Sequence, residues 1–244
     1  MKNDLIKFVT TGDCQRLKDL LIKNADPDTK DQQNTLLHLT ILSLKDKAIS
    51  LEQAKAVITL LLNFNANGRV KDSEGNTPAI LAARELPVSQ CETIINVLKD
   101  YGAVDINVKN NDGMNYLNYL NNKKLRQAAF EGKADEVEKL LKTPDSNINP
   151  NAQGPKTGNT ALHEVINGLA KNKDLDAALR IIRLLCEHQG NAANVDISNN
   201  EPQTPIGLAK QKLTGELLET VQAKLEKYRI PTSELTSQMK ELRM

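Results

Sequence analysis

The feature that most constrains this chain is that it repeats itself, because a fixed-period repeat dictates an architecture before any single residue is interpreted. Four strings share one pattern: "NTLLHLTI" from Asn34, "NTPAILAA" from Asn76, "NTALHEVI" from Asn159 and "QTPIGLAK" from Gln203. In each, a Thr precedes an apolar run. A Thr hydroxyl there accepts a hydrogen bond from an otherwise unpaired amide of the first helical turn. Pro78 and Pro205 follow directly, at the first helical position, where a missing N–H does no harm. Thr77 and Pro78 therefore begin a helix, and Gly75 makes the turn before it.

A second apolar run follows each of three of these openings: "AVITLLLNF" from Ala56, "TIINVLKDYGA" from Thr93 and "ALRIIRLLCEH" from Ala178. Apolar residues recur at i, i+3 and i+4, the signature of an amphipathic helix. Polar, turn-rich segments come next: "NADPDTKDQQ", "NANGRVKDSEG", "GAVDINVKNNDG", "NPNAQGPKTG" and "NAANVDISNNEP". Asn, Asp and Gly suit such turns because they tolerate left-handed backbone and, for Asn and Asp, bond to their own neighbours.

Helix, turn, helix and then a projecting hairpin-like loop resembles the ankyrin repeat, and the resemblance covers about Leu5 to Leu225. It implies an all-α solenoid of about six helix pairs. Two pairs lack the Thr opening, "FVTTGDCQRLKDLL" from Phe8 and "AAFEGKADEVEKLL" from Ala128. Gly12 to Gly132 spans 120 residues, Thr35 to Thr160 spans 125 and Thr77 to Thr204 spans 127. These near-equal intervals indicate a tandem duplication of a three-repeat block. The expected division is a repeat domain over 1–225, with blocks 1–122 and 123–225, and a tail or capping segment over 226–244.

The junction "NNDGMNYLNYLNNKKLRQAAFEG" is too short for a complete extra repeat. Either a truncated repeat or single helix over Asn115 to Asn122, within a continuous stack, or a flexible linker accounts for it. Each block also carries a helix-to-helix insertion, "SLKDKAISL" and "GLAKNKDLD", expected to lengthen the helices by a turn. After the last helix, Pro231 interrupts the chain and "TSELTSQMKELRM" has the pattern of a short capped helix. A packed cap, a partner-binding tail and a transport signal are all open for it.

Composition removes several function classes. Lys plus Arg number 32 against 31 acidic residues, a net charge of +1, so neither nucleic acid nor an anionic membrane is a default partner. No apolar stretch approaches a membrane span, and the N-terminus lacks a signal-peptide pattern. Cys14, Cys91 and Cys186 are far apart, which suits small core residues in a reducing compartment and neither a disulfide nor a zinc framework. A cytoplasmic monomer without cofactor or metal is expected.

The family resemblance implies a non-enzymatic module that binds a protein partner through loop tips and inner-facing first helices, which together form a concave surface. Position by position, the tip candidates are Arg69, Lys71, Ser73 and Glu74, then Lys109, Asn111 and Met114, then Gln153 and Lys156, then Ser198, Asn199 and Glu201. Tyr116, Tyr119 and Phe130 are candidate hot spots, since aromatic anchors dominate interfaces. Tyr119 and Phe130 suit a core role equally well in a chain without Trp. His38 and His163 occupy equivalent places in "TLLH" and "TALH", where the resemblance implies a structural bond to backbone. Cys186 and His188, two apart on a helix, face different ways and make no nucleophile–base pair. An enzyme with an unrecognised site and a regulatory or inhibitory subunit are the alternatives. Abundant Asn and Lys, as in A/T-rich coding, together with the polar tail, suggest a bacterial effector exported into a host cell without a classical signal.

Overall fold

The computed structural model describes residues 1–143, 148–171 and 174–229. The described residues contain twelve α-helices and one two-stranded hairpin. They separate into two compact units, one over Met1–Leu120 and the other from Asn121 onward.

In the first unit the helices are α1 (Lys2–Thr11), α2 (Cys14–Ile22), α3 (Leu36–Lys45), α4 (Leu51–Asn63), α5 (Pro78–Glu85) and α6 (Val88–Asp100). The first helices of successive pairs, α1, α3 and α5, pack side by side, and the second helices α2, α4 and α6 form a layer behind them. Leu5, Leu17, Leu37, Ile41, Ile58, Leu61, Ile80, Ile94 and Leu98 lie between the layers, all buried. The second unit contains α8 (Ala134–Lys142), α9 (Ala161–Leu169), α10 (Leu175–Cys186), α11 (Pro205–Lys212) and α12 (Gly215–Glu226). Here α9 packs on α11, and α10 lies between α8 and α12 over a separate core of Leu162, Val165, Ile166, Ile181, Ile182 and Leu185. Each pair buries its apolar face only against its neighbours, so stability in each unit is a sum of local interfaces.

Local chemistry sets the helix starts. Thr77 Oγ1 accepts from Ile80 N at 3.4 Å and Thr204 Oγ1 from Gly207 N at 3.2 Å, each with Pro at the first position. Ala in place of Thr77 should lower stability by about 1 kcal/mol, read as a shifted urea midpoint with an unchanged slope; an unshifted midpoint would show that Pro78 alone sets this start. The first insertion differs from expectation. Relative to the eight-residue α5, α3 gains two residues, to ten, rather than a full turn. The rest is a loop over residues 46–50, anchored by buried Ile49 and closed by a reciprocal Ser50–Gln53 capping box that starts α4.

The junction is also longer than its sequence suggests. Helix α7 runs Tyr116–Glu131 without a break, so the segment expected over Asn115 to Asn122 is only its first half. No Gly or Pro lies between Asn115 and Glu131 to stop it. Asn115 replaces Thr as the opening residue: its Oδ1 accepts from Asn118 N at 3.0 Å, while Asn118 Oδ1 accepts from Asn115 N at 2.8 Å. Tyr116 and Leu120 join the first unit's core, and Leu125, Ala128 and Ala129 join the second's. The tail helix expected after Pro231 and residues 172–173 of the second insertion lie outside the described residues.

Candidate protein-binding surface

The loops are built from one recurring device. Asp26, Asn67, Asp105, Asn149 and Asn194 each use Oδ1 to accept the amide two residues on, at 2.8–2.9 Å. This Asx turn starts the loop without any secondary-structure partner. At the tips, Asp72, Asn110 and Asn199 each accept two amides on one oxygen: from Glu74 and Asn76, from Asp112 and Met114, and from Glu201 and Gln203. The same three residues donate their backbone N–H across the hairpin, to Asn76, Met114 and Gln203 carbonyls, at 2.9 Å each. In the first loop the hairpin is regular enough to form strands β1 (Lys30–Asp31) and β2 (Asn34–Thr35).

Neighbouring tips are tied together. Asn111 donates its N–H to the Glu74 carbonyl at 3.0 Å and its Nδ2 to the Ser73 carbonyl at 3.3 Å. Asn200 does the same to Thr157 at 2.9 Å and Lys156 at 3.1 Å. Lys71 donates to the Lys109 carbonyl at 2.8 Å, and Gln153 to the Ser198 and Gly158 carbonyls at 2.8 and 2.7 Å. Arg69 reaches the Gly102 carbonyl at 3.3 Å and Asp105 at 3.9 Å. Of the tip residues expected to face a partner, Arg69, Lys71, Asn111 and Gln153 thus spend their side chains on the adjacent repeat, and Asn199 divides its own between its turn and Asn159 of the neighbouring tip. Ser73, Lys109, Lys156, Ser198 and Glu201 remain exposed and Met114 half-exposed.

Below the tips, His38 is fully buried, with Nδ1 3.3 Å from Thr35 N and Nε2 3.0 Å from the Asn76 carbonyl. His163 repeats this with Thr160 N at 3.2 Å and the Gln203 carbonyl at 2.8 Å. Because Nδ1 receives a backbone N–H, the proton sits on Nε2 and is donated to the next repeat. Both imidazoles are held below their ordinary pKa of 6.5, chiefly by burial. Such a ring is a strut between repeats and has no open valence for acid–base work. Burial likewise pushes the Cys186 thiol up to about 12, leaving it protonated at neutral pH.

Where tips meet first helices, the two units differ. In the first, Lys45 pairs with Glu85 at 2.7 Å, Glu85 with Arg84 at 3.4 Å, and Arg84 with Glu74 on the tip. In the second, Lys156, Thr157, Asn199 and Glu201 from the tips and Asn167 and Lys212 from α9 and α11 line a recess of about 270 Å³.

Residues 157–200, covering a tip, α9, α10 and the next tip, match the family model for the ankyrin repeat. That segment carries an ankyrin repeat. Solved structures with a similar fold include an ankyrin repeat domain of Acinetobacter baumannii AYE, at 20% identity over 93% of this chain and 98% of that one, with a TM-score of 0.44. The ankyrin repeat domain of Bcl-3, a member of the IkappaB protein family, is 20% identical over 88% and 96%, with a TM-score of 0.46. EF0377, an ankyrin repeat protein, is 23% identical over 93% and 97%, with a TM-score of 0.40. No curated protein matches the sequence. Ankyrin repeats are generally protein–protein interaction modules. No helix among the described residues is long and apolar enough to cross a membrane.

The three aromatic candidates are mostly structural. Tyr116 is buried, with the Lys99 ammonium 5.6 Å from its ring centroid. Tyr119 accepts a bond from Asn110 at 3.0 Å and donates to Asp112 at 3.2 Å, bracing the tip from beneath. Phe130 is half-buried under the Lys171 ammonium at 5.0 Å. Asn115 and the bracing asparagines Asn110 and Asn200 escaped sequence reasoning. The Asn-Asn pair followed by an acidic residue, in Asn110-Asn111-Asp112 and Asn199-Asn200-Glu201, was the signal for the last two.

Proposed function

We propose that this ankyrin-repeat chain is a non-enzymatic module that binds a protein partner on the surface formed by its loop tips and inner-facing first helices. The observation that carries this is the bracing of the tips. Side chains such as Asn111 and Asn200 lock each tip to its neighbour, while Lys109, Met114, Lys156 and Glu201 point away from those bonds. A pre-ordered surface binds without the entropic cost of ordering loops. A host protein would be the partner if the chain serves as a bacterial effector.

The test is affinity capture from eukaryotic and bacterial lysates with the wild type beside a variant carrying Ala at Lys109, Met114, Lys156 and Glu201. These substitutions leave the bracing bonds in place, so the fold is not the variable. The expected result is a protein held by the wild type and retained at least tenfold less by the variant. Equal retention by both would sink the tip surface as the site.

A further inference from the structure

We propose that the recess in the second unit is the seat for an acidic segment of the partner, whose carboxylate docks between Lys156 and Lys212. This inference rests on the binding function proposed above and narrows it to one unit and one chemistry.

The comparison between units carries the argument. Counting from the opening threonines Thr77 and Thr204, Glu74 corresponds to Glu201, Arg84 to Gln211 and Glu85 to Lys212. In the first unit, Glu74, Arg84, Glu85 and Lys45 neutralise one another across the surface. Two acids meet two bases, and no charge is left for a ligand. In the second unit, Gln211 takes the place of Arg84 and bonds Gln203 at 2.9 Å instead of the tip. The closing network is therefore missing there.

What replaces it is a chain of amides ending on a cation. Asn199 Nδ2 donates to Asn159 Oδ1 at 3.0 Å, and Asn159 Nδ2 to Glu164 at 3.0 Å. Asn167 Nδ2 donates to the other Glu164 oxygen at 3.1 Å, which turns Asn167 Oδ1 towards Lys212 Nζ at 2.6 Å. A neutral amide orients the ammonium without cancelling its charge. An ammonium has three donors, and the Asn167 bond uses one. Lys156, on the facing tip, has no ion pair among the described residues. The acids facing the recess are Glu201 on its rim and Glu164 beneath the amides. The lining itself carries two lysines against the single carboxylate of Glu201, and half-buried Arg126 lies within electrostatic reach of Glu164. An ordered lysine and a polar, amide-lined wall suit a carboxylate, because little side-chain entropy remains to be lost on binding.

An eight-residue poly-glutamate peptide is the probe, with poly-serine and poly-lysine peptides of the same length as controls. In ¹H–¹⁵N spectra, poly-glutamate should move the side-chain amides of Asn159, Asn167, Asn199 and Asn200, and the controls should not. The Lys156→Glu/Lys212→Glu double variant should bind at least tenfold more weakly with an unchanged thermal midpoint, these being surface positions. Shifts that avoid the four amides, or undiminished binding by the lysine variant, would each overturn the proposal. A protein captured through the tips but not displaced by poly-glutamate would overturn this inference and leave the tip surface standing.

Discussion

Replacing His38 by Leu should destabilise the first unit by about 3 kcal/mol, although Leu nearly fills the imidazole volume. His38 is completely buried and joins two repeats: Nδ1 takes the Thr35 N–H, and Nε2–H is given to the Asn76 carbonyl. Leu leaves the buried Thr35 N–H without its partner, at about 1–3 kcal/mol, and takes from the Asn76 carbonyl one of its two donors, the Asp72 N–H remaining, at about 0.5–1.5 kcal/mol. The loss is steric only in small part, so a wide repacking response cannot recover it. Burial of the ring also makes stability pH-dependent. Burial lowers the folded-state pKa below the unfolded value of 6.5, so below that value the unfolded chain binds more protons. Stability is then full above 6.5 and falls as pH drops below it towards the folded-state pKa. His163 contributes in the same direction for the same reason. Urea unfolding at pH 7.5, 6.5 and 5.5 checks both claims. The wild type should lose midpoint between the upper and lower values, and His38→Leu/His163→Leu should start lower and lose less. A double variant whose midpoint matches the wild type at pH 7.5 would remove both histidines from the account of how repeats are joined.

Much of this architecture was legible in the sequence because ankyrin repeats are specified locally. Thr77, Pro78 and Gly75 act within one turn, so their roles can be read without knowing what packs against them. His38 and His163 were legible for a related reason: the Thr-x-x-His spacing sets one bond, and only the second bond needs the next repeat. Asn115 was not legible as an opening residue because its capping partner is the Asn118 amide, a substitution of chemistry that a Thr-based alignment passes over. The length of α7 depended on an absence of stop signals, which is weaker than a positive one. The tips were least legible. Whether Lys71 faces a partner or the Lys109 carbonyl is decided 38 residues away, and no local pattern encodes that. The asparagines illustrate the point from the other side. Abundant Asn reads as coding bias in a composition table, yet Asn67, Asn110, Asn111, Asn149, Asn194, Asn199 and Asn200 all perform turn or tip bonding here. Their frequency follows from the number of loops to be built, and it lends no weight to a particular organism.

Gly158→Val tests the bracing on which the binding surface depends, and it should cost about 2–4 kcal/mol. Two effects add. Gly158 has φ +68°, a left-handed conformation that costs a residue with a Cβ about 1–2 kcal/mol. A Cβ there would also lie 2.4 Å from Asn200 Oδ1 and 2.6 Å from Asn200 N. The side-chain oxygen can rotate away, but the backbone nitrogen is fixed by its bond to the Thr157 carbonyl at 2.9 Å. The tip must therefore move and give up that bond, a further cost of about 1–2 kcal/mol. Gly113 provides the control, because its φ is +73° and nothing lies within 4 Å of its would-be Cβ. Gly113→Val should pay the backbone strain alone, about half the total. If the two variants unfold at the same urea concentration, the close approach of adjacent tips contributes nothing and the tips are held by their own turns. If Gly158→Val is the weaker by the expected margin, tip-to-tip bonding is a real part of the fold, and its loss should also blunt capture of a partner under conditions where the helices remain intact. The two readouts separate because α9 and α10 draw their stability from the buried core of Leu162, Ile166, Ile181 and Leu185 rather than from tip-to-tip bonds.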